Sequence, residues 1–96
     1  MKLYYLSQEE QDDWDSYDCM VVAAETEESA VRTSPSGFYE WSDERDAWMF
    51  TYSDGRREKE KRSDWANRLE NIKVEYIGRA KPNTKAGVIC ASFNAG

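Results

Sequence analysis

Three stretches of this 96-residue sequence gather side chains that chemistry and recognition use. The first, Asp12-Asp13-Trp14-Asp15-Ser16-Tyr17-Asp18, packs four carboxylates into seven residues, and hard cations such as calcium or magnesium prefer oxygen ligands of this kind. The spacing forms no cage. A calcium loop would want an oxygen ligand and then Gly where Tyr17 and Asp18 stand, and no bidentate Glu follows at the proper distance. The run therefore reads as a solvated acidic loop or as a docking surface. In the second reading Trp14 and Tyr17 are anchors and Asp15 and Asp18 carry the charge. The second stretch, Arg56 to Arg62, holds five basic and two acidic residues between Tyr52 and Trp65. Here phosphate and a nucleobase could both be met, by charge-assisted bonds from Arg56 and Arg57 and by ring stacking. The same run also suits a plain solvated face. The third feature is the pair Cys19 and Cys90, each inside an apolar run, which reads as two buried free thiols. A disulfide would need an oxidising compartment, and a zinc site about two further ligands.

Catalysis is poorly served. Histidine is absent, which removes the usual general base near neutral pH, the imidazole metal ligand and every Ser-His or Cys-His pair. Ser7, Ser16, Ser36 and Ser92 thus have no imidazole to activate them. Two carboxylates could run acid-base hydrolysis if burial separated their pKa values, yet every carboxylate lies in a charge-rich stretch that predicts exposure. The five glycines are scattered singly, so no phosphate loop exists. The expectation is a protein that is not an enzyme and uses no cofactor and no metal.

The elements that must position these residues fit one domain over residues 1–96. Hydrophobic residues make up 40% and aromatic residues 14%, too rich in large apolar groups for a disordered chain. Lys2–Ser7 reads as a strand, Gln8–Asp15 as a solvated connection, and Tyr17–Ala24 as a continuous apolar strand that pairs with the first. Thr26 caps a short helix from Glu27 to Thr33, stopped by Ser34-Pro35-Ser36-Gly37. Phe38–Trp41 and Ala47–Tyr52 read as strands around a polar loop. Arg56–Arg62 is an exposed loop or helix face, and Ser63-Asp64 starts a second helix ending near Asn71, with Trp65 and Leu69 on its inner side. Ile72–Ile77 alternates as a half-buried strand, and Val88–Phe93 reads as a buried strand forming a hairpin with it. The fold class expected is α+β, a small antiparallel β-sheet with one or two short helices.

Charge narrows the partners. Thirteen basic against nineteen acidic residues give a net charge of -6, which repels nucleic-acid backbones and anionic lipid, so neither direct DNA binding nor a membrane is expected. No apolar window reaches the ~20 residues that cross a bilayer, and the N-terminus lacks a signal-peptide core. A cytoplasmic location follows as an expectation. Between Leu3 and Val31 stand nine acidic residues and no Lys or Arg. A negative face studded with Trp14 and Tyr17 could dock on a basic groove, while acidity for solubility alone is the competing reading.

Read whole, the chain resembles small bacteriophage and prophage proteins. The matching stretches are Met1–Leu6, the Trp14-Asp15-Ser16-Tyr17-Asp18 element, Val21–Arg32, Ser34-Pro35-Ser36-Gly37, Val74–Ala80 and Gly87–Gly96. Phe38–Ile72 matches poorly. Trp14 stands where such sequences tend to have Tyr, and Cys90 where they tend to have Leu. The resemblance implies phage origin, and phage genes of this size commonly encode proteins that disable host machinery, bacterial defence systems included. The reading that follows is a non-enzymatic antagonist of antiphage defence that occupies a host protein surface through Trp14, Asp15, Tyr17 and Asp18. Its rival is a sponge for a nucleotide immune signal, with Arg56 and Arg57 in the pocket, and a phage-derived enzyme ranks third. An exposed sheet edge would favour a homo-oligomer.

Overall fold

A computed structural model of the chain describes residues 1–11, 15–60 and 64–94. The apolar runs at the N-terminus form β1 (Lys2–Gln8) and β2 (Ser16–Ala24), paired antiparallel with Tyr4 opposite Val22 and Leu6 opposite Met20. All four of these residues are buried, because a two-residue period puts them on one face of the sheet. The expected cap follows: Thr26 Oγ1 accepts the Ser29 N–H at 3.1 Å and opens α1 (Glu27–Val31), which docks by the buried Ala30.

The aromatic middle forms β3 (Tyr39–Ser42), β4 (Ala47–Thr51) and β5 (Arg57–Lys59), a separate three-stranded antiparallel sheet in the order β3-β4-β5. Strand propensity of the aromatics decides the ambiguous spacing here. The basic run is thus neither loop nor helix face at Arg57–Lys59 but an exposed edge strand, while Lys61 and Arg62 lie outside the described residues.

Two expectations fail in the second half. The helix from Ser63-Asp64 to Asn71 is absent over its described part, where a single 3-10 turn covers Leu69–Asn71. The groups such a helix would use are taken elsewhere. Tyr17 N–H donates to the Asp64 carbonyl at 2.8 Å, Trp48 Nε1 to the Ala66 carbonyl at 2.8 Å, and Asn67 N–H to Glu10 Oε2 at 2.9 Å. Trp65 still reaches the core, with Leu69 packed partly against it.

The second failure is the terminal hairpin. β6 (Ile72–Arg79) and β7 (Gly87–Asn94) sit on opposite edges of a four-stranded antiparallel sheet, in the order β6-β1-β2-β7. Residues 80–86 need to span about 14 Å, three strand spacings, which seven residues reach comfortably. Each terminal strand thereby pairs one flank of the central β1-β2 hairpin, whereas a hairpin between them would leave one flank open. The predicted buried strand is in consequence an edge, exposed from Ile89 to Phe93. The cysteines move with it: Cys19 is half-buried, Cys90 exposed, and both thiols are free. Neither is the core thiol expected, because Cys19 is opposite Ser92 and Val21 opposite Cys90 in the β2-β7 register, on the face turned away from Met20 and Val22.

Half of the described residues lie in strands, and the fold is largely β rather than α+β. One cluster of buried side chains joins Tyr4, Leu6, Met20 and Val22 of the larger sheet to Trp48 of the smaller, with Trp65 and Ala66 between them. Among the described residues no helix is long and apolar enough to cross a membrane.

Candidate functional site

The described part of the acidic element, Asp15 to Asp18, lies at the end of the larger sheet where β2 begins and β7 finishes. Asp15 takes a positive φ of 65°, a conformation Asp tolerates better than most residues, and its N–H donates to the Asn94 carbonyl. Tyr17 lies opposite Phe93 in the register, with ring centroids 4.8 Å apart and planes tilted by 52°. Its backbone is fixed from both sides, N–H to Asp64 and carbonyl to Gln8 Nε2 at 2.7 Å. Gln8, expected in a solvated loop, is buried: it also grips the Gln11 backbone through both ends of its amide. The register shifts between Tyr17 and Cys19, so Asp18 sits in a bulge, exposed, with its Oδ1 accepting from Asn94 Nδ2 at 2.8 Å.

Three of the predicted contact residues, Asp15, Tyr17 and Asp18, are thus brought together, and Trp14 lies outside the described residues. Phe93 joins them, 47% exposed. It went unnoticed because its neighbour along the sheet is 76 positions away in the chain, and only the β2-β7 pairing connects the two.

Arg56 and Arg57 stand at the tip and edge of the smaller sheet. The Arg56 guanidinium lies over the Tyr52 ring, 4.4 Å from its centroid, and the Arg56 N–H donates to Asp54 Oδ1. Tyr52 Oη donates to Glu58 Oε2 at 2.9 Å, a bond that holds the hydroxyl proton and raises its pKa. Arg57 is exposed opposite Thr51. Trp65, the other ring expected to flank this run, is buried in the core. The two arginines do not line the one cleft described below.

That cleft, about 530 Å³, lies between residues 32–41 and the start of β7. Its one arginine is engaged: Arg32 meets Asp43 at 3.1 Å and the Glu28 carbonyl at 3.0 Å. Trp41 Nε1 also donates to Asp43. The Arg32 bond, with help from Trp41, holds the Asp43 carboxyl below its ordinary range. Beside the cleft residues Ser36 and Tyr39 stands a carboxyl pair that the sequence did not mark. Burial first, and the Asp64 charge second, push Glu60 to about 7, although Tyr39 hydrogen-bonds it. Glu60 Oε1 is buried with no hydrogen-bond partner. Asp64 is raised by burial and partly relieved by a bond from Ser36. Burial also raises Tyr39, with the Glu60 charge adding to it. The expectation that every carboxylate is exposed therefore fails at Glu60 and Asp64. Both are carried inward by backbone bonds, Glu60 N–H to Trp48 and Asp64 carbonyl to Tyr17. Among the described residues no cluster of His, Cys, Asp and Glu could hold a metal ion.

No protein-family model, curated protein or solved structure matches the chain.

Proposed function

We propose that this protein works by contact, as a phage antagonist of bacterial antiphage defence that covers a basic surface of a host protein. The observation that carries the reading is the Tyr17-Phe93 ring pair flanked by Asp15 and Asp18 at one end of the larger sheet. Rigid aromatic surface beside charge of one sign is what interface hot spots are built from, and complementary charge steers encounter with a basic partner. The phage resemblance supplies the biological setting. The rival reading, sequestration of a nucleotide signal through Arg56 and Arg57, has weaker support: Arg56 already caps a ring, and the cleft combines one engaged arginine with Glu40 and nearby Asp43.

The experiment is to express the chain in bacteria carrying single defined defence systems and score rescue of phage plating. Where one system is blocked, its purified protein should form a complex with the chain that weakens at raised salt. Asp18→Lys and Tyr17→Ala should abolish rescue while the proteins still melt cooperatively. Rescue that survives both substitutions, or that tracks with nucleotide released from the denatured protein, overturns the reading.

A further inference from the structure

Two backbone bonds tie Glu60 and Asp64 to different sheets. Glu60 N–H donates to the Trp48 carbonyl of β4 at 3.0 Å, and Tyr17 N–H of β2 donates to the Asp64 carbonyl at 2.8 Å. Their side chains turn inward at the same place. The Glu60 carboxyl accepts from the Tyr39 hydroxyl of β3 and from Asp64 N–H, while the Asp64 carboxyl accepts from Ser36 in the turn after α1. A line of bonds thus runs from Tyr39 through Glu60 and Asp64 to the backbone of Tyr17.

That line suits an acid better than a pair of anions. Glu60 Oε1 is buried with no hydrogen-bond partner, a position that a neutral carboxyl tolerates far better than a carboxylate. Among the described residues, the groups that act on the two carboxyls are Tyr39, Ser36, the Asp64 backbone and, on Glu60, the Asp64 charge. No Lys or Arg is among them. The Tyr39 hydroxyl and Asp64 N–H favour the charged form of Glu60, but burial and the Asp64 charge outweigh them and hold its proton to about 7. Once ionised, Glu60 gains by turning toward water, and to turn it must release Asp64 N–H.

We infer that the proton on Glu60 controls how firmly Tyr17 is held. With the proton in place, Glu60 keeps Asp64 inward and the Asp64 carbonyl keeps the Tyr17 N–H. Without it, Asp64 is freed and the Tyr17-Phe93 pair loses one of the two backbone bonds that fix Tyr17. The other bond, from Gln8 Nε2 to the Tyr17 carbonyl, involves no titrating group, so the loosening stays local. As regulation the device rests on the contact reading, in which Tyr17 is an anchor: a rise in pH through about 7 relaxes the grip on the host protein.

Amide hydrogen exchange of the full chain, without any host protein, measures this hold directly. Between pH 6 and pH 8, after correction for intrinsic exchange, protection of Tyr17 should fall about fivefold or more while that of Met20 in the same strand stays constant. Glu60→Gln should keep Tyr17 protected at both pH values. Protection of Tyr17 that ignores pH, that falls together with Met20, or that falls equally in Glu60→Gln overturns the inference. If Glu60→Gln fails to melt cooperatively, the carbon resonance of the Glu60 carboxyl decides: a titration midpoint different from that of the Tyr17 amide overturns it. The contact reading fails separately, by plating rescue that survives Tyr17→Ala, whatever the Tyr17 amide does.

Discussion

At the end of the larger sheet, Tyr17 and Phe93 sit beside Asp15 and Asp18; at the tip of the smaller sheet, Tyr52 sits beside Arg56 and Glu58. Both sites set an exposed ring among charged side chains, and they differ in what the ring and the charges are bound to. Tyr17 packs partly against the core and its backbone is bonded on both sides, so the pair is presented by a rigid support. Tyr52 lies beyond the core, with its hydroxyl given to Glu58 and its face covered by Arg56. The charges at the first site share one sign; those at the second are of both signs, Arg56 standing among Asp54 and Glu58. A dense basic run in sequence is thus no guide to free positive charge.

The largest expected effect tests the support itself. Trp48 is the fully buried ring by which the smaller sheet enters the core, beside the partly buried Tyr39 and Trp41, and it is bonded to the Ala66 carbonyl. Trp48→Ala should cost about 3–5 kcal/mol, from lost packing plus the orphaned carbonyl. Phe93→Ala, removing a half-exposed ring, should cost about 1 kcal/mol or less. Urea denaturation of both variants checks the contrast. Similar losses would mean that Phe93 serves the core and not the surface.

Next in size is the charge contrast. Asp18→Lys should weaken a host complex at least about tenfold, mostly at low salt, whereas Arg56→Ala should leave it unchanged. Titration calorimetry against the defence protein identified by rescue would read both. An equal loss from Arg56→Ala would erase the distinction between the two sites.

How much of this was legible in the residues follows a physical line. Where a segment's partner is close in sequence, as for β1 with β2 or Thr26 with Ser29, periodicity and capping placed it well. Where the partner is distant, local signals misled. Ile72–Ile77 and Val88–Phe93 look like two arms of one hairpin, yet their neighbours are β1 and β2. Ser63-Asp64 looks like a helix start, but Tyr17, Trp48 and Glu10 claim the backbone of the segment behind it. The acidic element was visible as composition, while Phe93, its aromatic complement, came only with β7. The Glu60-Asp64 pair was hidden because a charged stretch reads as exposed until tertiary bonds turn part of it inward.

That pair gives a pH-dependent test of the region between the two sites. Glu60 keeps its proton to about 7 in the folded chain, against an ordinary value of 4.5. Between those values the folded state binds the extra proton, so stability falls as pH rises through the window and the loss is complete above about 7. The raised Asp64 acts with the same sign. Glu60→Gln mimics the protonated form, so it should leave the melting temperature nearly unchanged at pH 5. At pH 8 it should stabilise by on the order of 1 kcal/mol, a figure discounted because the carboxyl is only half-buried and water screens it. Equal effects at both pH values would remove the buried-charge explanation.

The smallest expected effect lies at the tip, and it sharpens the comparison most cheaply. Removing the Arg56 side chain uncovers the Tyr52 ring and deletes an exposed cation-π contact, worth about 0.5–1 kcal/mol at most in such a setting. Tyr52→Phe removes one exposed hydrogen bond to Glu58, whose partners water replaces readily. Either change should shift stability by about 1 kcal/mol or less. The double substitution should show coupling only a little above zero, since Arg56 can still stack on Phe while Glu58 turns to solvent. A coupling above about 1 kcal/mol would mean that the tip is a built site whose ring, cation and carboxylate act together, and the asymmetry between the two ends of the molecule would then vanish.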